Sequence, residues 1–169
     1  SDRVGCALAM NKDLSKRLLR DAKIQTPGWI TVRGREEGIR PLDEVVRTQG
    51  HPEIVKPPSG GSTLGLTLVS VEGELGAALD LALEYEDQVL FESYLQGREL
   101  TVGIPGDKAR PVGEIIPEHE IFDYESKYRP GMAQEIFPAD LPPETSARVQ
   151  ELALLAHSAL GLRDFSRVD

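Results

Sequence analysis

The sequence has little cysteine and no long apolar run, and each of these shortages excludes a class of protein. Cys6 is its only cysteine among 169 residues, which excludes an internal disulfide and favours an intracellular location. No apolar run approaches the roughly 20 residues that a membrane-spanning helix needs. These shortages predict a cytoplasmic protein without a membrane partner.

Positive charge and metal-ligand patterns are also scarce. The chain has 19 Lys and Arg against 28 Asp and Glu, a formal net charge of -9. Nucleic-acid and membrane surfaces are bound through an excess of Lys and Arg, so the composition predicts no nucleic-acid partner. The three histidines, His51, His119 and His157, lack metal-ligand spacing and are interpreted as structural or exposed. An acidic chain can still hold an anion through a local cluster of donors.

Helical and strand patterns alternate irregularly along the chain. Apolar spacing and caps predict helices at 11–24, 42–49, 71–88 and 142–161, with Asn11 as an N-cap. Period-two patterns predict strands at 29–33, 53–57, 66–70, 89–95, 98–106, 109–117 and 133–139, with one more beginning after 162. Leu14 and Leu155 are expected on the inward faces of their helices. The absence of a regular βαβ rhythm predicts an α+β fold with antiparallel sheets.

The segment "IVKPPSGGSTLGLTLVS" (54–70) has the composition of an anion-binding loop. Gly60 and Gly65 have P-loop spacing, but Leu66 stands where a P-loop needs its lysine. Backbone N–H groups of such a loop form an anion cradle, and a flexible hairpin turn is an equal alternative. Lys56, on the preceding strand, shifts the interpretation towards anion binding because its ammonium can reach whatever the loop covers.

Two carboxylates follow in "VLFESYLQGREL". Glu92 lies within an apolar strand, where an unpaired buried charge would be costly, and Glu99 lies seven residues later. A nucleoside would explain them, with backbone groups for adenine and a carboxylate for ribose hydroxyls. The alternative is that Glu92 lies on the solvent face of its strand.

Two further segments contain residue types that act on anions or metals. "FDYESKY" (122–128) places aromatic side chains and Lys127 in a polar loop, which either closes over a ligand or fastens the loop to the protein. In "RVD", Arg167 and Asp169 lie two residues apart and project to the same side of a strand. They could serve a phosphate and a metal, or form a surface ion pair.

Six segments, in this order, resemble the D-alanine–D-alanine ligases of the ATP-grasp superfamily. They are "AMNK", "IVKPPSGGSTLGLTLV", "VLFESYLQGRELTVGI", "PVGEIIPEHEIFDYESKYRPG", "FPADLP" and "LGLRDFSRVD". The resemblance implies that the lysine of the glycine-rich loop comes from the preceding strand. It also implies that the nucleotide is held between two subdomains.

The resemblance further implies a role for individual residues. Those that bind ATP are Lys12, Lys56, Gly61, Ser62, Thr63, Glu92, Ser93, Tyr94, Leu95, Glu99 and Lys127. Within that set, 92–95 receive adenine and Glu99 binds ribose. The catalytic residues are Arg167, Ser62 and Tyr128, with Arg167 stabilising the transition state. Asp169 is the metal ligand.

The activity implied is ATP-dependent ligation of two D-alanines through a D-alanyl phosphate, for peptidoglycan precursor synthesis. ATP, two Mg²⁺ ions and D-alanine are the implied ligands; the resemblance allows K⁺ and implies a homodimeric parent protein. The alternatives are a D-alanine–D-lactate or D-serine ligase, or a non-catalytic nucleotide-binding fragment.

The resemblance also implies a division of the chain. Residues 1–56 would begin a central subdomain, 57–96 would form the glycine-loop subdomain, and 97–169 a second ATP-grasp subdomain cut at its C-terminal end. The family's N-terminal domain has no counterpart in these 169 residues. We therefore expect the chain alone to be inactive.

Overall fold

The computed structural model describes residues 3–35, 53–61, 64–117 and 133–169. These residues form two compact units. The first contains described residues 3–26, 97–117 and 133–169, and the second contains 27–35, 53–61 and 64–96. The predicted helix at 42–49 lies outside the described residues. The subdomain bounds inferred from the resemblance, at residues 56 and 96, stay a prediction.

The helices and strands mostly follow the sequence pattern. In chain order they are α1 (Arg3–Met10), α2 (Lys12–Asp21), β1 (Trp29–Arg33), β2 (Glu53–Lys56), β3 (Thr67–Val69), a 3₁₀ turn (Glu72–Glu74), α3 (Leu75–Leu83), β4 (Gln88–Ser93), β5 (Glu99–Pro105), β6 (Gly113–Pro117), β7 (Ala133–Ile136), α4 (Pro143–Ala159) and β8 (Phe165–Val168). The strand pairs are antiparallel, as predicted.

The second unit is a sheet with α3 on one face. Its strand order is β1-β4-β2-β3, and the β2–β3 pair confirms the predicted hairpin around the glycine-rich segment. The side chains that form its core with α3 include Val55, Phe91 and Leu79. Since strand side chains alternate, Lys56 and Glu92 lie on the opposite face of the sheet from this core.

The first unit is a sheet of order β7-β6-β5-β8 that packs against α4. Val102 and Ile104 of β5 are 1% exposed and lie in the core with Ala153 of α4. The alternate residues of β5, Thr101 and Gly103, face the other side of the sheet. β8 pairs with β5 so that Gly103 is opposite Arg167, and this register brings the predicted "RVD" residues onto the same face as Thr101.

Three local expectations were wrong. Leu14 and Leu155 are each 44% exposed. Ser15 lies on the buried side of α2, and its hydroxyl donates a 2.7 Å hydrogen bond to the carbonyl of Leu8 in α1. Helix α3 is shorter than predicted, because a 3₁₀ turn precedes it and a turn follows Leu83. The Asn11 cap is confirmed by a 3.0 Å hydrogen bond from Leu14 N–H to Asn11 Oδ1.

Candidate nucleotide site

The second unit places a lysine and a carboxylate together beside the glycine-rich segment. Lys56 ends β2, and its Nζ lies 3.1 Å from Oε2 of Glu92 on β4. The two side chains are 16% and 15% exposed. The alternative in which Glu92 extends from the solvent face of its strand is therefore wrong. The pairing lets both charges remain largely out of water, which neither would do alone at low cost.

The stem of the glycine-rich loop follows Lys56 directly. Gly60 has φ +82°, a conformation that favours glycine, and both Gly60 and Gly61 are exposed. A cavity of about 200 Å³ is lined by this stem and by Tyr85 and Glu86 from the turn before β4. Ser62 and Thr63 lie outside the described residues, so their predicted contacts with phosphate stay predictions.

The predicted adenine hinge leaves the end of β4. Ser93 N–H donates a 3.0 Å hydrogen bond to the carbonyl of Gly28, which fixes the start of the hinge to the chain ahead of β1. Tyr94 is half-buried, whereas Leu95 is 68% exposed. Glu99, the predicted ribose ligand, is the first residue of β5 in the first unit and is exposed.

In the first unit, the predicted catalytic residue Arg167 and the predicted metal ligand Asp169 lie on one face of the sheet. Thr101 Oγ1 donates a 2.6 Å hydrogen bond to Asp169 Oδ1. Arg167 Nε lies 3.1 Å from the same oxygen, while its NH2 group is 3.3 Å from Oδ2. The surface ion pair, one of the two alternatives for "RVD", is therefore present and more than half exposed. Arg167 also lines an open cavity, while the phosphate and metal roles of the two residues stay predictions.

That cavity has a volume of about 400 Å³ and combines cationic and apolar walls. Arg167 and Arg110 line it together with Pro111, Phe137 and Pro138. Arg110 N–H donates a 2.8 Å hydrogen bond to the carbonyl of Gly103. Arg110 therefore lies beside Gly103 in the segment ahead of β6, while Arg167 is opposite Gly103 on β8. Sequence reasoning missed Arg110, because no motif marks it and only the register of β5 brings it beside Arg167.

The remaining predicted site residues are Lys12, Lys127 and Tyr128. Lys12 is the first residue of α2 and is partly exposed. Lys127 and Tyr128 lie outside the described residues.

Within the described parts of the chain, no three His, Cys, Asp or Glu side chains are arranged to hold a metal ion. None of the helices described there is long and apolar enough to cross a membrane.

Comparisons with known proteins agree with these observations. Residues 18–169 match the family model described as "D-ala D-ala ligase C-terminus". The D-alanine–D-alanine ligase of Geobacter sulfurreducens is 39% identical over 163 residues, which are 96% of this chain and 50% of that protein. The chain thus spans about half the length of the curated relatives it matches.

Solved structures give the same result. The VanG D-Ala:D-Ser ligase of Enterococcus faecalis superposes with a TM-score of 0.88 at 32% identity, over 99% of this chain and 49% of that one. The D-alanine–D-alanine ligase of Bacillus anthracis complexed with ATP gives 0.79 at 29% identity, over 100% and 51%. These neighbours confirm the predicted α+β ATP-grasp fold. The chain belongs to the D-alanine–D-alanine ligase family.

Proposed function

We propose that the full-length protein, meaning the complete natural polypeptide that contains this chain, is an ATP-dependent ligase that joins two D-alanines. The dipeptide would enter peptidoglycan precursor synthesis in the cytoplasm. The observation that carries this proposal is the Lys56–Glu92 pair at the entrance of a glycine-rich loop, in a chain of this family. The ATP-complexed neighbour supports ATP as the nucleotide.

The second unit would bind most of the nucleotide. Lys56 lies where the strand enters the loop, so its ammonium would be available to a phosphate, and the contact with Glu92 would hold it in position. Backbone N–H groups of the exposed glycines would add donors to phosphate oxygens. The segment 92–95 would receive adenine, and Glu99 would accept hydrogen bonds from ribose hydroxyls. Lys12 and Lys127 would neutralise further phosphate charge.

The first unit would act on the reacting groups. Arg167 would offset negative charge on the transferred phosphate and on the carbonyl oxygen, where a fixed cation stabilises the transition state most. Asp169 fits a Mg²⁺ ligand, because its carboxylate is accessible and Mg²⁺ is commonly held by one or two carboxylates with phosphates and water. Bound Mg²⁺ would neutralise phosphate charge. Two such ions, and K⁺ as an accompanying cation, are part of the proposal.

The chemistry proceeds in two steps. A carboxylate oxygen of the first D-alanine attacks the γ-phosphorus of ATP, and ADP leaves. The amine of the second D-alanine then attacks the acyl carbon, loses a proton, and displaces inorganic phosphate. The protein's contribution is mainly positioning and charge stabilisation, as in phosphoryl transfer generally. Ser62 and Tyr128 would complete the closed site around these groups.

The partners proposed are small molecules and a second copy of the same protein. D-alanine is the substrate, the full-length protein is a homodimer, and neither nucleic acid nor a membrane is a partner. The net charge of -9 supports the exclusion of nucleic acid.

A D-alanine–D-serine ligase is a second candidate, favoured by the 0.88 TM-score with the VanG enzyme. The two are separated by measuring phosphate release from ATP by the full-length protein, with D-alanine as donor and D-alanine, D-serine or D-lactate as acceptor. Mass spectrometry identifies the product. We expect D-alanyl-D-alanine to dominate. A preference for D-serine or D-lactate would replace the proposed substrate, and ATP binding without any ligation would replace the proposed activity.

A further inference from the structure

The turn between α3 and β4 contacts both arms of the glycine-rich loop. We propose that two adjacent residues of this turn, Tyr85 and Glu86, are positioning residues that hold the loop where it meets the ATP phosphates. We call this pair the loop clamp. The inference rests on the proposed function, and it adds residues that neither touch the reacting atoms nor belong to the nucleotide contacts described above.

Glu86 holds the first arm of the loop. Ser59 lies three residues after Lys56, and its backbone N–H donates a 3.0 Å hydrogen bond to Glu86 Oε2. The Ser59 hydroxyl donates a second one, of 3.1 Å, to Glu86 Oε1. Both oxygens of one carboxylate are therefore directed at one residue, and this two-point contact fixes the orientation of the chain as well as its position.

Tyr85 holds the second arm. Gly65 has φ +67°, and a Cβ added there would lie 2.7 Å from Cδ2 of Tyr85 and 3.0 Å from Cγ of Pro57. The tyrosine ring and the proline thus occupy the space that a side chain at position 65 would need. A side chain at position 65 would push the arm away from the turn. Neighbouring residues of one turn consequently determine where both ends of the loop lie.

The clamp is a surface feature, so its role can be separated from general stability. Tyr85 is 52% exposed, and the Ser59–Glu86 hydrogen bonds are exposed to solvent. Exposed contacts of this kind contribute little to the free energy of unfolding. Their loss should therefore change the position of the loop more than the fold. The loop is expected to contact the phosphates of ATP. Adenosine has no phosphate, so the loss of the clamp contacts should leave adenosine binding unchanged.

Electrostatics alone predicts the opposite result for Glu86. Removing a carboxylate near a bound triphosphate lowers repulsion and would tighten ATP binding. A positioning role predicts weaker binding, because the loop must then be ordered when ATP binds. Glu84 is a matched control, since it carries the same charge two residues away on the same turn and is exposed. The sign of the effect therefore decides between the two interpretations.

The experiment uses the full-length protein with Glu86→Ala, Glu86→Gln, Tyr85→Ala and the control Glu84→Ala. Dissociation constants for ATP and for adenosine are measured by calorimetry, and thermal unfolding checks that each variant is folded. We expect Glu86→Ala to weaken ATP binding about tenfold, as the loss of hydrogen bonds to a charged group typically does. Adenosine affinity should stay within about twofold. Glu86→Gln, which can still accept from the Ser59 N–H, should show a smaller loss.

Several results would overturn the clamp. Unchanged or tighter ATP binding in either folded variant, Glu86→Ala or Tyr85→Ala, would do so. Equal losses for ATP and adenosine would do so as well, because they would indicate a general structural role. If one variant fails to fold, the other gives the same comparison. A wild-type protein that binds adenosine and ATP equally weakly would instead contradict the proposed function, and the clamp with it. A wild-type preference for ATP that survives both substitutions contradicts the clamp alone.

Discussion

Lys56 and Glu92 form an ion pair across β2 and β4, with 3.1 Å between Nζ and Oε2. The two residues are diagonal neighbours on the face of the sheet away from α3, since Glu92 is opposite Ile54 in the register. The ion pair holds the Lys56 side chain in one position before a phosphate would bind. Less side-chain entropy is then lost on binding, which is the physical advantage of a preorganised cation.

Replacing Lys56 should weaken nucleotide binding. A charge-assisted contact is typically worth about 1.5–3 kcal/mol, so Lys56→Ala in the full-length protein should reduce ATP affinity roughly ten- to a hundredfold. The matched control is Lys108→Ala, which removes an exposed lysine from the turn after β5. Calorimetry measures both. Unchanged ATP affinity in Lys56→Ala would show that Lys56 is not a phosphate ligand.

Lys56 and Glu92 should contribute to the free energy of unfolding in a coupled way. Removing one partner leaves the other charge about 85% buried without this contact, so Glu92→Leu should lower the free energy of unfolding by about 1–3 kcal/mol. The double variant Lys56→Met/Glu92→Leu should lose less than the sum of the two single changes, because it leaves neither charge behind. Urea unfolding of all four proteins gives the coupling energy. Additive effects would contradict a direct interaction.

Thr101 should increase the affinity for Mg²⁺ by orienting the Asp169 carboxylate. Its hydroxyl donates a 2.6 Å hydrogen bond to the carboxylate that would bind Mg²⁺, and such supporting contacts commonly change metal affinity by about 10–100-fold. In the full-length protein, Thr101→Val should raise the Mg²⁺ concentration needed for half-maximal ATP-dependent phosphate release. Thr145→Val, at an exposed position of α4, is the control. If the two variants have the same Mg²⁺ requirement, Asp169 does not act on the metal through this contact.

The first unit also contains a pH-dependent contact. Arg98 Nε and NH2 each donate a 2.6 Å hydrogen bond to the Glu114 carboxylate, and these bonds lower the pKa of Glu114 from its ordinary value of 4.5. A lowered folded-state pKa adds stability that is fully present above the unfolded-state pKa and is lost as pH falls through the folded one. Arg98 remains charged over this range.

The difference in thermal midpoint between wild type and Glu114→Gln should therefore be largest above about pH 5 and shrink towards acid. The control is Glu135→Gln, at an exposed position of β7. Thermal unfolding between pH 7 and pH 3 gives the comparison. A difference that stays constant or grows on acidification would contradict the assigned shift.

Local sequence patterns predicted much of this molecule, because the relevant forces act between near neighbours. The Asn11 cap and the β2–β3 hairpin involve residues close in sequence, and both are confirmed. The placement of Lys56 beside the loop also follows from adjacency. The wrong inward assignment of Leu155 has a different cause: helical periodicity gives the relative direction of side chains but not how wide a face the neighbouring elements cover.

Other features depend on contacts that no local pattern records. Ser59 and Glu86 are 27 residues apart, and only the packing of the turn after α3 brings them together. Arg110, ahead of β6, and Arg167, on β8, line one cavity because both lie next to Gly103 of β5. Helix α1 was not predicted because its sequence has neither an acidic first turn nor a basic last turn to mark its ends.

The central claim is that a D-alanine carboxylate is phosphorylated by ATP before the peptide bond forms. It is tested most directly with D-alanine carrying ¹⁸O in its carboxylate, incubated with the full-length protein, ATP and Mg²⁺. An acyl phosphate keeps one carboxylate oxygen bonded to phosphorus, so displacement by the second amine must leave that oxygen in the released phosphate. Mass spectrometry should find one ¹⁸O atom in each phosphate formed alongside D-alanyl-D-alanine. Dipeptide formed with unlabelled phosphate, or phosphate released without dipeptide, would contradict the account.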